Sequence, residues 1–304
     1  MGERPIALYS CSLDAGQMEK LENSCEASGW ESYFVDHATF AFRGPRVNVV
    51  AYRSGKLVVQ GKGTEEFVKY TLEPEISGEC ALGYDEELHG DWFEEHGGMD
   101  ESGKGDLFGP LVSACVVAGG KTVKEWIGAG VKDCKSIGTS EKIFELAKII
   151  RNSAGATVEF FSLSMRKHNE LYGGFGENLN RLLAWYHSKS LSNALQRSSP
   201  KRVLLDQFSK QPLVQKFFPN CPAAIEMRPR AEEDPVVAAA SIVARAEFLQ
   251  SLDRLSAQAD EQLLRGCGEA VFQQAQRLVR RFGANRLGEF AKLYFSTAQR
   301  AIFS

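Results

Sequence analysis

From Leu107 to the end of the chain, short apolar strand-like runs alternate with segments of helical period, and this alternation constrains the fold most tightly. Strand candidates are 107–118, 156–163, 201–205 and 223–227. Helix candidates are 139–151, with Ile143, Leu146 and Ile150 on one face, and 178–195, with Leu179, Leu182, Leu183 and Tyr186. A third is 235–254, and more follow to residue 304, including 269–282 with Gly283 placed to cap its C-terminus. Interleaved strands and helices predict a mixed α/β sheet under helical cover.

A different pattern precedes it. Residues 5–10 read as a strand, and Asp14 as the N-cap of a helix with Met18, Leu21 and Cys25 on one face. Residues 31–43 and 46–52 are strand-like, and Ser54-Gly55 turns the chain into 56–60. Thr64, followed by Glu65 and Glu66, caps a helix carrying Phe67, Tyr70 and Leu72. The order β-α-β-β-β-α makes an α+β module of about 75 residues. Gly78 to Gly98 is polar, acidic and glycine-containing, as a connector would be. At 304 residues the chain is long for one domain. We expect an N-terminal domain at 1–80, a linker at 81–97 and a second domain at 98–304.

Charge is divided between these parts. Residues 1–98 hold 8 Lys and Arg against 18 Asp and Glu, whereas 99–304 hold 28 against 21. A basic second part suits a phosphate backbone, and six of the acids in the first fall in the Asp85–Glu95 connector. No run nears the ~18 apolar residues of a transmembrane helix, and Met1-Gly-Glu-Arg-Pro5 does not build a signal peptide or a myristoylation site. Seven scattered cysteines without a C-x-x-C pair read as reduced thiols. These features predict a cytoplasmic protein with no membrane association, acting as a monomer.

The chemistry concentrates in Asp100-Glu-Ser-Gly-Lys-Gly105, where two carboxylates run into a Gly-Lys-Gly turn. The segment nearly fits a Walker A loop, since four residues separate Gly98 from Gly103-Lys104. Position 105 is Gly where Ser or Thr should hold Mg²⁺, and Asp100 and Glu101 would repel a cradled phosphate, so that reading fails. Carboxylates beside flexible backbone and one cation suit hard divalent metals and a phosphate-bearing substrate instead. Phosphodiester hydrolysis by two metal ions needs three or four carboxylates around ions about 3.5–4 Å apart. Asp100, Glu101 and Asp206 are the candidates, Asp206 because it ends the apolar strand 203–205, where α/β ligand sites often lie. Neighbouring strand residues point to opposite faces, so Asp100 and Glu101 share a site only if the backbone is irregular there.

Asp100–Pro110 (DESGKGDLFGP) resembles the signature of type 2 ribonucleases H, and its Gly-Lys-Gly form that of ribonuclease HIII. Four further segments match in order: Val131–Lys135, Asn178–His187, Val203–Phe208, and Arg230-Ala-Glu232 leading into Val237–Arg245. The likeness covers roughly residues 97–300. Ribonuclease HII usually has Arg at the position of Lys104 and lacks a long N-terminal extension, which favours HIII. The resemblance implies a ribonuclease H-like mixed sheet with a helical C-terminal region. Chiefly through Ala51–Gly61, the preceding module is similar to the TATA-box-binding-protein-like, substrate-binding domain of that family.

The implied activity is endonucleolytic hydrolysis of the RNA strand of RNA–DNA hybrids with Mg²⁺ or Mn²⁺, leaving 5′-phosphate and 3′-hydroxyl ends. The metal ligands are then Asp100, Glu101 and Asp206, with a fourth catalytic carboxylate among Glu232, Glu233 and Asp234. The Arg-Ala-Glu motif points to Glu232, while Pro235 after Asp234 marks a helix start and Asp234 as its N-cap. Backbone around Ser102, Gly103, Lys104 and Gly105 can read the 2′-hydroxyl that separates RNA from DNA, because glycine lets the sugar approach. Lys104 could pair with a phosphate. Cys134 departs from the family's Asp-Ser-Lys and loses a good hydrogen bond. His168 and His187 invite a general-base role, but His187 lies on an apolar helix and reads as packing. Two alternatives stay open: incision at single ribonucleotides in duplex DNA, as in ribonuclease HII, and a non-catalytic nucleic-acid-binding protein.

Overall fold

A computed structural model of the chain describes residues 6–77 and 89–303. Two compact units are present, Met1–Gly90 and Asp91–Ser304. Residues 81–88 of the expected linker, Cys80, and the first five residues lie outside the described residues.

The first unit has one five-stranded antiparallel sheet: β1 (Leu8–Ser12), β2 (Glu31–Ser32), β3 (Ala38–Gly44), β4 (Val47–Tyr52) and β5 (Lys56–Gln60), in the order β1-β5-β4-β3-β2. Phe40, Phe42, Val49, Ala51, Leu57 and Val59 bury one face against helix α1 (Ala15–Ala27) and the residues after Thr64. Alternation leaves Ser10, Arg43, Asn48, Lys56 and Gln60 on the other face. Asp14 caps α1 through a capping box, Oδ1 accepting from Gln17 N at 2.8 Å while Gln17 Oε1 accepts from Asp14 N at 3.0 Å. Thr64 is not the cap expected of it. Gly63 holds that position, and the buried Thr64 hydroxyl donates back to Gly61 O at 2.9 Å. The α-helix α2 (Thr64–Phe67) widens at once into a π-helical run, Val68–Ser77, that contains Pro74.

The second unit is a five-stranded mixed sheet: β6 (His96–Ser102), β7 (Val112–Ala118), β8 (Thr157–Ser162), β9 (Arg202–Asp206) and β10 (Ala224–Arg228), ordered β10-β9-β6-β7-β8. β6, β9 and β10 are mutually parallel; β7 is antiparallel to β6 and β8. All seven residues of β7 are buried. Val112, Ala114, Val116 and Ala118 pack with the long helix α7 on one side. Cys115 and Val117 pack with α6 on the other. The longer helices between the strands are α3 (Gly120–Ala129), α4 (Ser140–Asn152), α5 (Met165–Gly174) and α6 (Leu179–Ala194), followed by α7 (Pro235–Ala259), α8 (Glu269–Phe282) and α9 (Ser296–Phe303). Thr139, Asn178 and Asp234 cap α4, α6 and α7, and Gly283 closes α8 at φ +85°.

Three differences from the sequence reading have physical causes. The second unit starts at Asp91, inside the stretch read as linker, because His96–Ser102 is the central strand β6. Its glycines disguise it. A Cβ on Gly98 would lie 2.4 Å from the backbone of Val236 and Val237, so only glycine lets α7 pack this close. The run 107–118 yields a strand only from Val112, because Leu107 and Phe108 are buried in a loop tied elsewhere. Leu107 N donates to Gly266 O at 2.8 Å, Gly109 N to Phe290 O at 3.0 Å, and Lys292 N to Leu107 O at 2.9 Å. Contrary to the expectation from apolar runs, α7 is long and apolar enough to cross a membrane by length and composition. It is mostly buried as the core helix of the unit.

Candidate active site

β6 stays regular to its end, pairing Asp100 with Ala114, Glu101 with Ser113 and Ser102 with Val112 on β7. The backbone irregularity that would let Asp100 and Glu101 share one face is therefore absent, and each acid goes to its own helical layer. Glu101 follows Met99 toward α6; Asp100 follows Gly98 toward α7. Both still line one cleft of about 680 Å³ at this end of the sheet. Asp206 lines the same cleft as the last residue of β9. Since Met99 pairs with Leu205 in parallel register, Asp206 continues beside Asp100 and faces the same layer.

The surroundings of the two adjacent acids differ. Burial, then the Glu101 charge, pushes the Asp100 carboxyl well above the usual range, against the bond that Glu101 N–H donates to its Oδ1 at 2.7 Å. Burial also acts to raise Glu101. Hydrogen bonds and charge from His187 and Lys104 outweigh it and hold that carboxyl below its usual range. His187 Nε2 lies 3.2 Å from Glu101 Oε2, and Lys104 Nζ lies 3.4 Å from Oε1. His187 is thus more than packing: its α6 face is buried, as the helical period implied, but its ring reaches a candidate acid. His168, by contrast, sits buried between the hydroxyls of Tyr186 and Tyr294 at 2.8 and 3.3 Å, outside the cleft.

Next to Asp100 stands the segment Asp133-Cys-Lys135. Burial alone would lower Lys135, but the charges of Asp133, Asp100 and Glu232 outweigh it and hold its ammonium above its usual range. Cys134 lines the cleft, where burial raises its thiol, and its N–H donates to Ser241 Oγ at 3.0 Å.

The three consecutive acids before α7 separate cleanly. Asp234 is fully buried; Oδ1 accepts from Val236 N at 2.8 Å and both carboxylate oxygens accept from His96 Nε2, at 3.0 and 3.1 Å. Glu233 is exposed and faces Arg230 at 3.4 Å. Glu232 lies in a 3₁₀ turn, Ala231–Glu233, and its Oε2 is buried without any hydrogen-bond partner. It does not line the main cleft but acts electrostatically on Lys135, which does.

The turn after β6 depends on glycine. Gly103 has φ +84°, and a Cβ there would lie 2.2 Å from Pro110 O and 2.7 Å from the Phe248 ring. Gly105 has open space around it. Ser102, Gly103, Lys104 and Gly105 all line the cleft, as do Arg245 and Arg265. Arg245 only ends the Val237–Arg245 segment, with no spacing that marks it as a site residue, and Arg265 carries no motif signal.

Among the described residues, no three Asp, Glu, His or Cys side chains are already gathered closely enough to hold one metal ion. The donors nonetheless fit a hard divalent cation. All are carboxylates, Asp100 is short of positive charge, and Glu232 keeps an unsatisfied buried oxygen.

Residues 97–298 match the family described as Ribonuclease HII, and residues 11–81 match one described as a domain of unknown function, DUF3378. Ribonuclease HIII of Chlamydia trachomatis serovar D is 38% identical over 290 residues, 93% of this chain and 94% of the relative. That of Protochlamydia amoebophila is 33% identical over 291 residues, 95% of each. Among solved structures, Bst-RNase HIII in complex with Mn²⁺ matches with a TM-score of 0.66 and 27% identity over 98% of both chains. With its core motifs, both units and nearly its full length shared with these proteins, the chain belongs to the ribonuclease HIII family of type 2 ribonucleases H.

Proposed function

We propose that this ribonuclease H hydrolyses the RNA strand of RNA–DNA hybrids, leaving 5′-phosphate and 3′-hydroxyl ends, with Mg²⁺ or Mn²⁺ held by Asp100, Glu101, Asp206 and Glu232. The observation that carries this reading is the orphaned buried oxygen of Glu232 on the layer of Asp100 and Asp206. A carboxylate oxygen buried without a partner is costly, and a divalent cation would satisfy it. Ions bound there would supply Lewis acidity for phosphodiester hydrolysis.

The remaining roles belong to the chain itself. Arg245, Arg265 and Lys135 line the cleft and bind the phosphates of the hybrid. The backbone around Gly103–Gly105, with open space at Gly105, approaches the ribose and reads its 2′-hydroxyl. Lys104, clamped to Glu101 at 3.4 Å and 5.7 Å from the Phe208 ring centroid, can swing to a phosphate once that carboxylate has a cation. Asp234 stays out of the chemistry because its lone pairs are committed to the α7 N-terminus and His96. The first unit adds affinity. Its outer sheet face carries Arg43, Asn48, Lys56 and Gln60, donors suited to a nucleic-acid backbone.

The test is cleavage by the full chain of an end-labelled RNA–DNA hybrid in Mg²⁺, Mn²⁺ or EDTA. Single-stranded RNA and a duplex with one embedded ribonucleotide run beside it. Metal-dependent cutting of the hybrid RNA strand with 3′-hydroxyl products is expected. No cutting of the hybrid in either metal would overturn the proposal, and cutting confined to the single ribonucleotide would favour the ribonuclease HII-like activity.

A further inference from the structure

We infer that His187 is a positioning residue for Glu101, and that a buried chain Glu101–His187–Ser113–Ser190 aims that carboxylate at a divalent cation. The inference rests on Glu101 as a metal ligand, as proposed above. Glu101 and Ser113 are direct partners across β6 and β7, and His187 of α6 bridges the pair. Its Nε2 lies 3.2 Å from Glu101 Oε2 and its Nδ1 2.9 Å from Ser113 Oγ. Ser113 Oγ is in turn 2.8 Å from Ser190 Oγ, which donates to His187 O at 3.1 Å. An ionised carboxylate only accepts, so Nε2 is the nitrogen that donates to it. The Phe208 ring stacks on the imidazole, with centroids 5.6 Å apart and planes at 26°. The imidazole is therefore fixed at both nitrogens and against one face.

The two oxygens of Glu101 are held in unequal ways. Oε2 is bound by His187, whose side chain is 1% exposed, whereas among the described residues Oε1 is bound only by Lys104, whose side chain is 35% exposed. The first partner is part of the core and the second can exchange with solvent. Oε1 is thus the oxygen presented to a cation, and His187 fixes the direction in which it points. Partners that orient a ligating group from behind are commonly worth 10–100-fold in metal affinity, roughly.

The experiment measures Mn²⁺ binding to the full chain without substrate, by loss of the free-ion electron paramagnetic resonance signal. Metal-free melting is recorded alongside. His187→Gln keeps an amide donor at the reach of Nε2; His187→Asn reaches only as far as Nδ1 and leaves Oε2 without its donor. The Asn variant is expected to weaken Mn²⁺ binding by about 10–100-fold and Gln to restore most of it. Unchanged binding in a folded His187→Asn protein overturns the inference, as does equal damage by Gln and Asn when both are folded. If the Asn variant does not fold, Ser113→Ala decides, with weaker Mn²⁺ binding supporting the chain and unchanged binding overturning it. Wild-type protein that binds no Mn²⁺ would sink the metal reading of Glu101 itself. Wild-type protein that binds Mn²⁺ alongside an equally tight Asn variant sinks only the role of His187.

Discussion

Replacing Asp234 by Ala should unfold the second unit more easily while leaving the chemistry of the surviving protein near normal. Two losses combine. The cap on α7, made by Oδ1 with Val236 N at 2.8 Å and Val237 N at 3.4 Å, is worth about 0.5–2 kcal/mol. His96 is fully buried with Nδ1 on Glu94 O at 2.7 Å, so its Nε2 would lose its acceptor with no water to replace it, a further cost of about 1–3 kcal/mol. The sum, about 1.5–5 kcal/mol, corresponds to a melting shift of roughly 3–20 °C for a unit of this size. Asp234→Asn keeps one capping oxygen but turns an amide toward His96 and Arg228. It should therefore cost about 1–3 kcal/mol, more than an exposed cap would. Urea unfolding without metal, followed by tryptophan fluorescence, measures this, because Trp92, Trp126 and Trp185 all belong to the second unit. Glu232→Gln in parallel should leave metal-free stability nearly unchanged and cut metal-saturated cleavage by roughly 10²-fold or more. The assignment is refuted if Asp234→Ala is as stable as wild type yet inactive while Glu232→Gln cleaves normally; the fourth carboxylate would then be Asp234.

Asp100→Asn or Asp206→Asn should abolish cleavage while hybrid binding survives. Asp100→Asn should also raise metal-free stability, since burial and the Glu101 charge oppose ionisation there; activity within about tenfold of wild type removes the residue from the metal site. Deleting residues 1–80 should weaken hybrid affinity far more than single-turnover cleavage and flatten the salt dependence of binding, which filter binding at several salt concentrations would read. Burial lowers the His168 pKa to about 3, so the unfolded chain binds a proton that the folded one refuses between about 6.5 and 3. The stability contributed by neutral His168 is therefore present above about pH 6.5 and lost as pH falls toward 3; acid titrations of unfolding in wild type and His168→Gln should show a shallower slope in the variant.

Much of this arrangement was legible in the residues. The alternation after Leu107 predicted β7 to β10 and the helices α4, α6, α7 and α8, though not α3 or α5, because buried two-sided strands and amphipathic helices leave different periods. Pro235 after Asp234 marked the α7 cap, since proline suits the first helical position and the residue before it the cap. The strand that carries the first two acids was not legible. His96-Gly-Gly-Met99 has the composition of a connector, and the reason for its glycines is the backbone of α7, about 140 residues away in sequence. The contact of His187 was equally hidden. Its period placed it correctly in the core, but the partner of a buried imidazole depends on the β6–β7 register and the packing of α6, both long-range.

The regular course of β6 explains why two adjacent acids are useful at all. A straight strand delivers consecutive side chains to opposite layers, so Asp100 reaches the α7 side, with Glu232 and Asp206, while Glu101 reaches the α6 side, with His187. One layer holds unsatisfied negative charge. The other holds a carboxylate already oriented by a buried donor. The cleft opens where the strand ends, past the last register pair of β6 with β9 at Met99 and Leu205. β6 stays paired with β7 as far as Ser102, but its pairing with β9 ends at Met99, and acids from both faces of the sheet line the cleft. A bulge that put both side chains on one face would bring the acids together sooner. It would also take Glu101 away from His187 and crowd a second buried charge onto the layer where Asp100 is already hard to ionise.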